Sequence, residues 1–223
     1  MCRSVSRGVC TSRSKSGQRS FAIARVSHAR TIVEVGFSRA ELESFVDATV
    51  PDLVGSGLRL LFVGINPGLW TAATQTHFAY PGNRFYPALS EAGIIERPID
   101  RGVGMTDADR RYMIGRGLGI TNVVHRATAK ASSLTADELI AGGQQLRTFV
   151  RAHAPAVVAV AGITAYRAAF SKPAATMGEQ PEPFEGARLF VVPNPSGLNA
   201  HETVSTLAAW YGAAARAAGV IPE

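Results

Sequence analysis

The chain has only two cysteines, Cys2 and Cys10, and neither has a histidine or further cysteine nearby at metal-ligand spacing. This scarcity argues against both a disulfide framework and a structural zinc site. Long apolar runs are also missing. No stretch approaches the roughly 20 residues needed to span a membrane, and Phe21-Ala22-Ile23-Ala24, cut short by Arg25, is too brief for the core of a secretory signal. Acidic residues are absent from positions 1–30, where Arg3, Arg7, Arg13, Lys15, Arg19, Arg25 and Arg30 account for the net charge of +6, leaving 16 basic against 17 acidic residues in the remainder. The body of the chain is therefore nearly neutral, and any surface that holds nucleic acid must be a local patch. Neither a phosphate-binding loop with its Lys-Ser/Thr nor a Gly-x-Gly-x-x-Gly fingerprint occurs, so ATP and dinucleotide readings lose their usual support. No internal repeat of 20–50 residues is apparent.

What is present is the composition of a soluble globular protein, 46% hydrophobic and 18% charged over 223 residues, enough for one α/β domain with an extension. Residues 1–36 read as a basic, disordered extension that also has the Arg/Ser-rich, acid-free character of an organellar transit segment; residues 37–223 read as the domain. Cytoplasmic residence, nucleoid-associated in a bacterium, is the expectation for the domain. Capping-box patterns at Ser38–Glu41 and Thr135–Glu138, and a cap at Thr106 before Asp109, open three helices, the first running on through Phe45 and Val46 to Pro51. Further helices are expected over residues 84–93, from Gly162 through Phe170, and from Val204 past Trp210 and Tyr211. Buried strands are expected at 58–64, 118–124, 156–161 and 188–192, with the Pro- and Glu-rich stretch 179–185 as a surface loop. Strands alternating with helices imply a three-layer α/β/α sandwich around a four-stranded parallel sheet.

In such sheets ligands sit beyond the carboxyl ends of the strands. Two post-strand loops there combine turn-forming residues with polar side chains: Gly64-Ile65-Asn66-Pro67-Gly68 and Pro193-Asn194-Pro195-Ser196-Gly197-Leu198-Asn199. Either loop alone is as readily a plain turn. Together with Phe78-Ala79-Tyr80-Pro81-Gly82-Asn83-Arg84-Phe85, they make the chain resemble the mismatch-specific uracil/thymine DNA glycosylase family of the uracil-DNA glycosylase superfamily, from about Leu58 to Trp210.

The resemblance implies a monofunctional enzyme, monomeric and without metal or organic cofactor. It would flip uracil mispaired with guanine, with thymine and ethenocytosine as further candidate bases, out of double-stranded DNA and hydrolyse the N-glycosidic bond. Asn66 takes the catalytic position, where its amide oxygen orients water; aspartate there would be the stronger base. Gly64, Ile65, Pro67, Gly68, Phe78 and Asn194 form the base-binding set, with Phe78 stacking on the base. Pro195, Ser196, Gly197, Leu198 and Asn199 form the wedge and opposite-base set, with Leu198 filling the vacated gap. Asn199 and Ala200 stand where some members carry a basic wedge residue, and Trp70 is bulky where small residues often approach the pyrimidine C5. His77, His125 and His201 read as structural or solvent-facing. Arg84 and Arg126 read as candidate phosphate contacts, and Arg84 equally as the partner of a local carboxylate that holds the Phe78 loop. Asp107, Asp109, Asp137 and Glu138 read as helix-start carboxylates, and Trp210 and Tyr211 as core. A mismatch-binding DNA module without catalysis is the competing class, and Asn66 separates the two. A small-molecule-binding α/β protein would have no use for Leu198.

Overall fold

Short, mainly apolar segments build the parallel part of the sheet. The computed structural model describes residues 36–223; the reading of the basic extension, with Cys2 and Cys10, lies outside the described residues. The strands are β1 (Leu60–Gly64), β2 (Leu118–Asn122), β3 (Val157–Ala161), β4 (Gly178–Glu179) and β5 (Arg188–Val192), in the sheet order β2-β1-β3-β5-β4. The first three are buried at every position, as befits parallel strands covered on both faces. β2, β1, β3 and β5 are mutually parallel, whereas β4 runs antiparallel along β5 through Gly178↔Val191 and Glu179↔Phe190. The sheet thus has five strands rather than the expected four. β4 is only two residues long, too short to show a period, and adjoins the stretch read as a loop; its pairing comes from β5, reinforced by the Glu179–Arg188 ion pair at 2.7 Å.

Among the described residues there are seven α-helices, α1 (Arg39–Glu43), α2 (Leu69–Thr74), α3 (Phe85–Glu91), α4 (Asp107–Gly115), α5 (Ala136–His153), α6 (Ile163–Phe170) and α7 (Val204–Ala217); α3 to α7 cover the sheet, whereas α1 packs against α2. Successive strand side chains point to opposite faces. Leu60, Phe62, Val157 and Ala159 join one core with residues of α3, α4 and α7, while Leu61, Val63, Val158 and Val160 join a second with α5 and α6. Capping boxes close at Ser38, Thr106 and Thr135, each contributing about 1 kcal/mol.

Two helices differ from expectation. α1 stops at Glu43 because Asp47 takes a left-handed φ of 63° and donates its backbone N–H to Ala127 O. The chain then lies along the β2 side of the sheet, bridging Thr49 to Arg126 and Leu53 to Ile120. α2 was not foreseen; it begins directly after Gly68, where the Asn-Pro-Gly turn chemistry dominated the reading. The parallel strands all end on one edge, with Gly64 in register with Asn122 and Ala161 with Val192. Both loops singled out above leave from that edge.

Candidate active site

β1 ends at Gly64, and from there to Pro67 the chain is zipped to the segment after β2. Val123 N donates to Gly64 O, Val124 N to Ile65 O and Thr128 N to Pro67 O, at 2.9–3.1 Å. The Asn66 carboxamide is held by the same segment. Its Nδ2 lies 2.8 Å from Thr128 Oγ1, 3.1 Å from Arg126 O and 3.1 Å from Pro67 O. Thr128 donates its only hydroxyl proton to Lys130 O at 2.9 Å, so toward Asn66 it can only accept. Three acceptors therefore fix which end of the amide is nitrogen and leave Oδ1 as the atom free to act.

Asn66 lines a cavity of about 640 Å³ shared with Phe78, Asn122, Thr128, Asn194 and Leu198, within the size range of small-ligand sites. Phe78 adopts φ 56°, a left-handed conformation that costs a bulky residue on the order of 1–2 kcal/mol. Its ring stacks on Phe85 of α3 at 4.2 Å between centroids and 26° between planes. Phe85 is buried and in turn meets Phe62 edge-on and lies near Tyr211. The preceding residue is tied down as well, its carbonyl accepting from Tyr86 Oη at 2.7 Å. The aromatic platform is thus an outlier braced by the core.

Of two further polar groups at the cavity, one drew no site reading in the sequence and the other was read as structural or solvent-facing. Asn122, at the tip of β2 and only 4% exposed, presents a second carboxamide to the cavity. Its signal was present, a polar residue ending an apolar strand, but the strand was read through it to residue 124. His77 is the other. Its Nε2 lies 3.0 Å from Pro51 O and its Nδ1 3.1 Å from Asn122 Nδ2. A carbonyl can only accept, so Nε2 carries the proton. Burial lowers the His77 pKa to about 4, against which the Pro51 carbonyl and Asp52 act weakly. The unfolded chain binds a proton at this histidine from about pH 6.5 downward, and the folded protein does not until about pH 4. Stability is therefore expected to fall by roughly 3 kcal/mol across that window and to show no further loss from this group below it. Chemical denaturation of wild type and His77→Asn over the same pH range checks this, the variant losing less.

Gly64 does not line the cavity but makes room beside it. A Cβ there would stand 2.5 Å from Asn122 Oδ1 and 3.2 Å from Phe78 Cζ. Ile65, Pro67 and Gly68 lie on the wall. Asn194 lines it too, but its Oδ1 accepts from Ser196 N at 3.0 Å within its own loop.

The second loop is fastened from below and bare at its tip. Tyr211 Oη donates to Pro193 O, and Asn199 Nδ2 to Asn194 O. Arg84 donates through Nη2 to Ser196 O at 2.6 Å and Asn199 O at 2.7 Å, and through Nη1 to Glu202 O, while its backbone N–H donates to Pro195 O. This corrects the reading of Arg84: it grips main-chain carbonyls of the second loop rather than a phosphate or a carboxylate. A Cβ on Gly197 would come 2.6 Å from Gly82 O, so glycine lets the two loops touch. Leu198, 95% exposed, stands on the rim. Pro195 and Asn199 sit behind it, in the loop's scaffold.

Arg126 pairs with Glu138 and, at 3.0 Å, with Asp47, and its guanidinium holds the Glu138 carboxyl down to about 2. It anchors the segment carrying Thr128. His125 lies 3.8 Å from Asp52, and His201 is exposed outside the cavity. Trp70 lines the cavity, meeting Phe37 and Tyr80 edge-on.

An α/β/α sandwich with a cavity beyond its strand tips, an aromatic platform in that cavity and an exposed aliphatic residue at the rim is the layout that an enzyme extracting bases from nucleic acid needs. Residues 51–214 match the family described as the Uracil DNA glycosylase superfamily, and the chain belongs to it, as a DNA glycosylase. In fold it is similar to a candidate uracil DNA glycosylase from Methanosarcina acetivorans solved by solution NMR, with 15% identity and a TM-score of 0.54 over 78% of this chain and 98% of that one.

Proposed function

We propose that the protein is a monofunctional, mismatch-directed uracil DNA glycosylase that acts on guanine-paired uracil in duplex DNA. The observation that carries this reading is the meeting of Asn66 Oδ1, the Phe78 ring, the Asn122 carboxamide and Leu198 around one cavity. Phe78 supports the face of an everted base, and Asn122 reads its pairing edge. Leu198 occupies the gap in the duplex, where burial of its side chain offsets part of the lost stacking.

An amide is a feeble base, so the chemistry assigned to Asn66 is positional. As the bond between C1′ and the base nitrogen lengthens, the departing base takes the electron pair and the sugar becomes cationic. Water held by Asn66 Oδ1 adds its oxygen to C1′. Its proton leaves to solvent or to the base anion, giving an abasic site and free uracil. No covalent intermediate with the protein forms.

The test is a panel of duplexes carrying G·U, A·U, G·T or G·ethenocytosine, with single-stranded uracil alongside, scored for alkali-labile sites. Release from G·U ahead of A·U and of single strands is expected. Binding to G·U without strand scission after alkali would instead identify a recognition module.

A further inference from the structure

We infer that His77 is a positioning residue that locks the Asn122 carboxamide with its oxygen toward the bound base, and so sets the pocket for uracil rather than cytosine. The inference rests on the glycosylase reading above and names the group that decides its substrate class.

Three hydrogen-bonding units stand in a row. Pro51 O can only accept, so the His77 nitrogen 3.0 Å from it, Nε2, is the one that carries hydrogen. The ring is buried among protein groups, which favours its neutral form. A neutral ring protonated at Nε2 has only a lone pair at Nδ1. The atom of Asn122 facing that lone pair at 3.1 Å must then be the NH2 nitrogen, because a carbonyl oxygen there would set lone pair against lone pair. A proline carbonyl outside the cavity thus dictates, through one imidazole, which end of a carboxamide inside it is the acceptor.

The acceptor has a defined place. Oδ1 of Asn122 and Cζ of Phe78 both border the spot that a side chain on Gly64 would fill, 2.5 and 3.2 Å from it. An oxygen beside the stacking ring reads a donor on the base edge. Uracil offers its imide N3–H. Cytosine offers a lone pair at N3, with its donor on the neighbouring exocyclic nitrogen, the pattern an inverted amide would accept. Since cytosine opposite guanine is the normal partner, an amide free to invert would put undamaged DNA at risk. His77 removes that freedom.

The experiment uses the full chain and single-turnover release from duplexes containing uracil or ethenocytosine opposite guanine. The latter has no N3–H to lose. His77→Leu removes the acceptor at similar size, whereas His77→Asn restores an oxygen near the Nδ1 position. His77→Leu is expected to lower uracil release about tenfold while changing ethenocytosine release less than about threefold. His77→Asn should stay within about threefold of wild type on both. Loss of both substrates alike in His77→Leu, or no loss on uracil, overturns the inference. Should His77→Leu fail to fold, long-range nitrogen–proton NMR on the wild type decides: protonation at Nε2 supports the assignment, and protonation at Nδ1 overturns it. Wild-type protein that releases no uracil sinks the glycosylase reading instead, a result separate from any effect of the His77 variants.

Discussion

Asn66→Ala is expected to slow single-turnover uracil release about a thousandfold, the scale on which losing one aligned polar group at a reacting centre acts, while G·U duplex binding changes little. Quenched-flow release and fluorescence anisotropy on the same duplex measure the two quantities. The structure also revises the expectation for aspartate. Around the Asn66 nitrogen stand Pro67 O, Arg126 O and Thr128 Oγ1, all acceptors as arranged. A carboxylate oxygen at that position would face two carbonyls. The carboxylate of Asn66→Asp is pushed out of that position by repulsion, or stays protonated, and either outcome forfeits the stronger base. Its rate should fall between those of alanine and wild type. A variant as fast as wild type would show that the amide's three anchoring contacts do not set its catalytic orientation.

Leu198→Ala carries the second large effect. The side chain is 95% exposed in the free protein, an arrangement that gains nothing for folding. Truncating it should therefore leave thermal stability within about 0.5 kcal/mol of wild type. Filling the duplex gap recovers a leucine's burial, about 2 kcal/mol, so release from duplex G·U should drop between ten- and a hundredfold. Whatever release occurs from single strands should be unaffected, because there is no gap to fill. Equal loss on duplex and single strand would remove Leu198 from the extrusion step.

These expectations depend on features that differ in how visible they were in the sequence. The apolar runs of β1, β2, β3 and β5 and the caps at Ser38, Thr106 and Thr135 were legible because each is a local pattern, complete within a few residues. β4 was not, since Gly178–Glu179 becomes a strand only because β5 lies alongside. The same division runs through the site. Asn66, Phe78 and Leu198 stood out because they sit in distinctive motifs. The partners that hold the site together are remote in sequence: His77 bonds to Asn122, 45 residues away, and Arg84 to carbonyls more than 100 residues away. No window along the chain contains both halves of such a pair. The bulky side chain at Trp70 is explained in part by its packing between Phe37 and Tyr80, a contact likewise made only in three dimensions.

The stack of Phe78 on Phe85, itself lodged against Phe62 and Tyr211, has a mechanical corollary. A platform rooted in the hydrophobic interior cannot reshape itself around whatever arrives. The deformation required for capture then falls on the helix of nucleotides, and weakly paired sites, which open at least expense, present themselves most often. Under the function proposed above, selection for mispairs would begin in the mechanics of the double helix, before any contact inside the pocket has sorted one heterocycle from another.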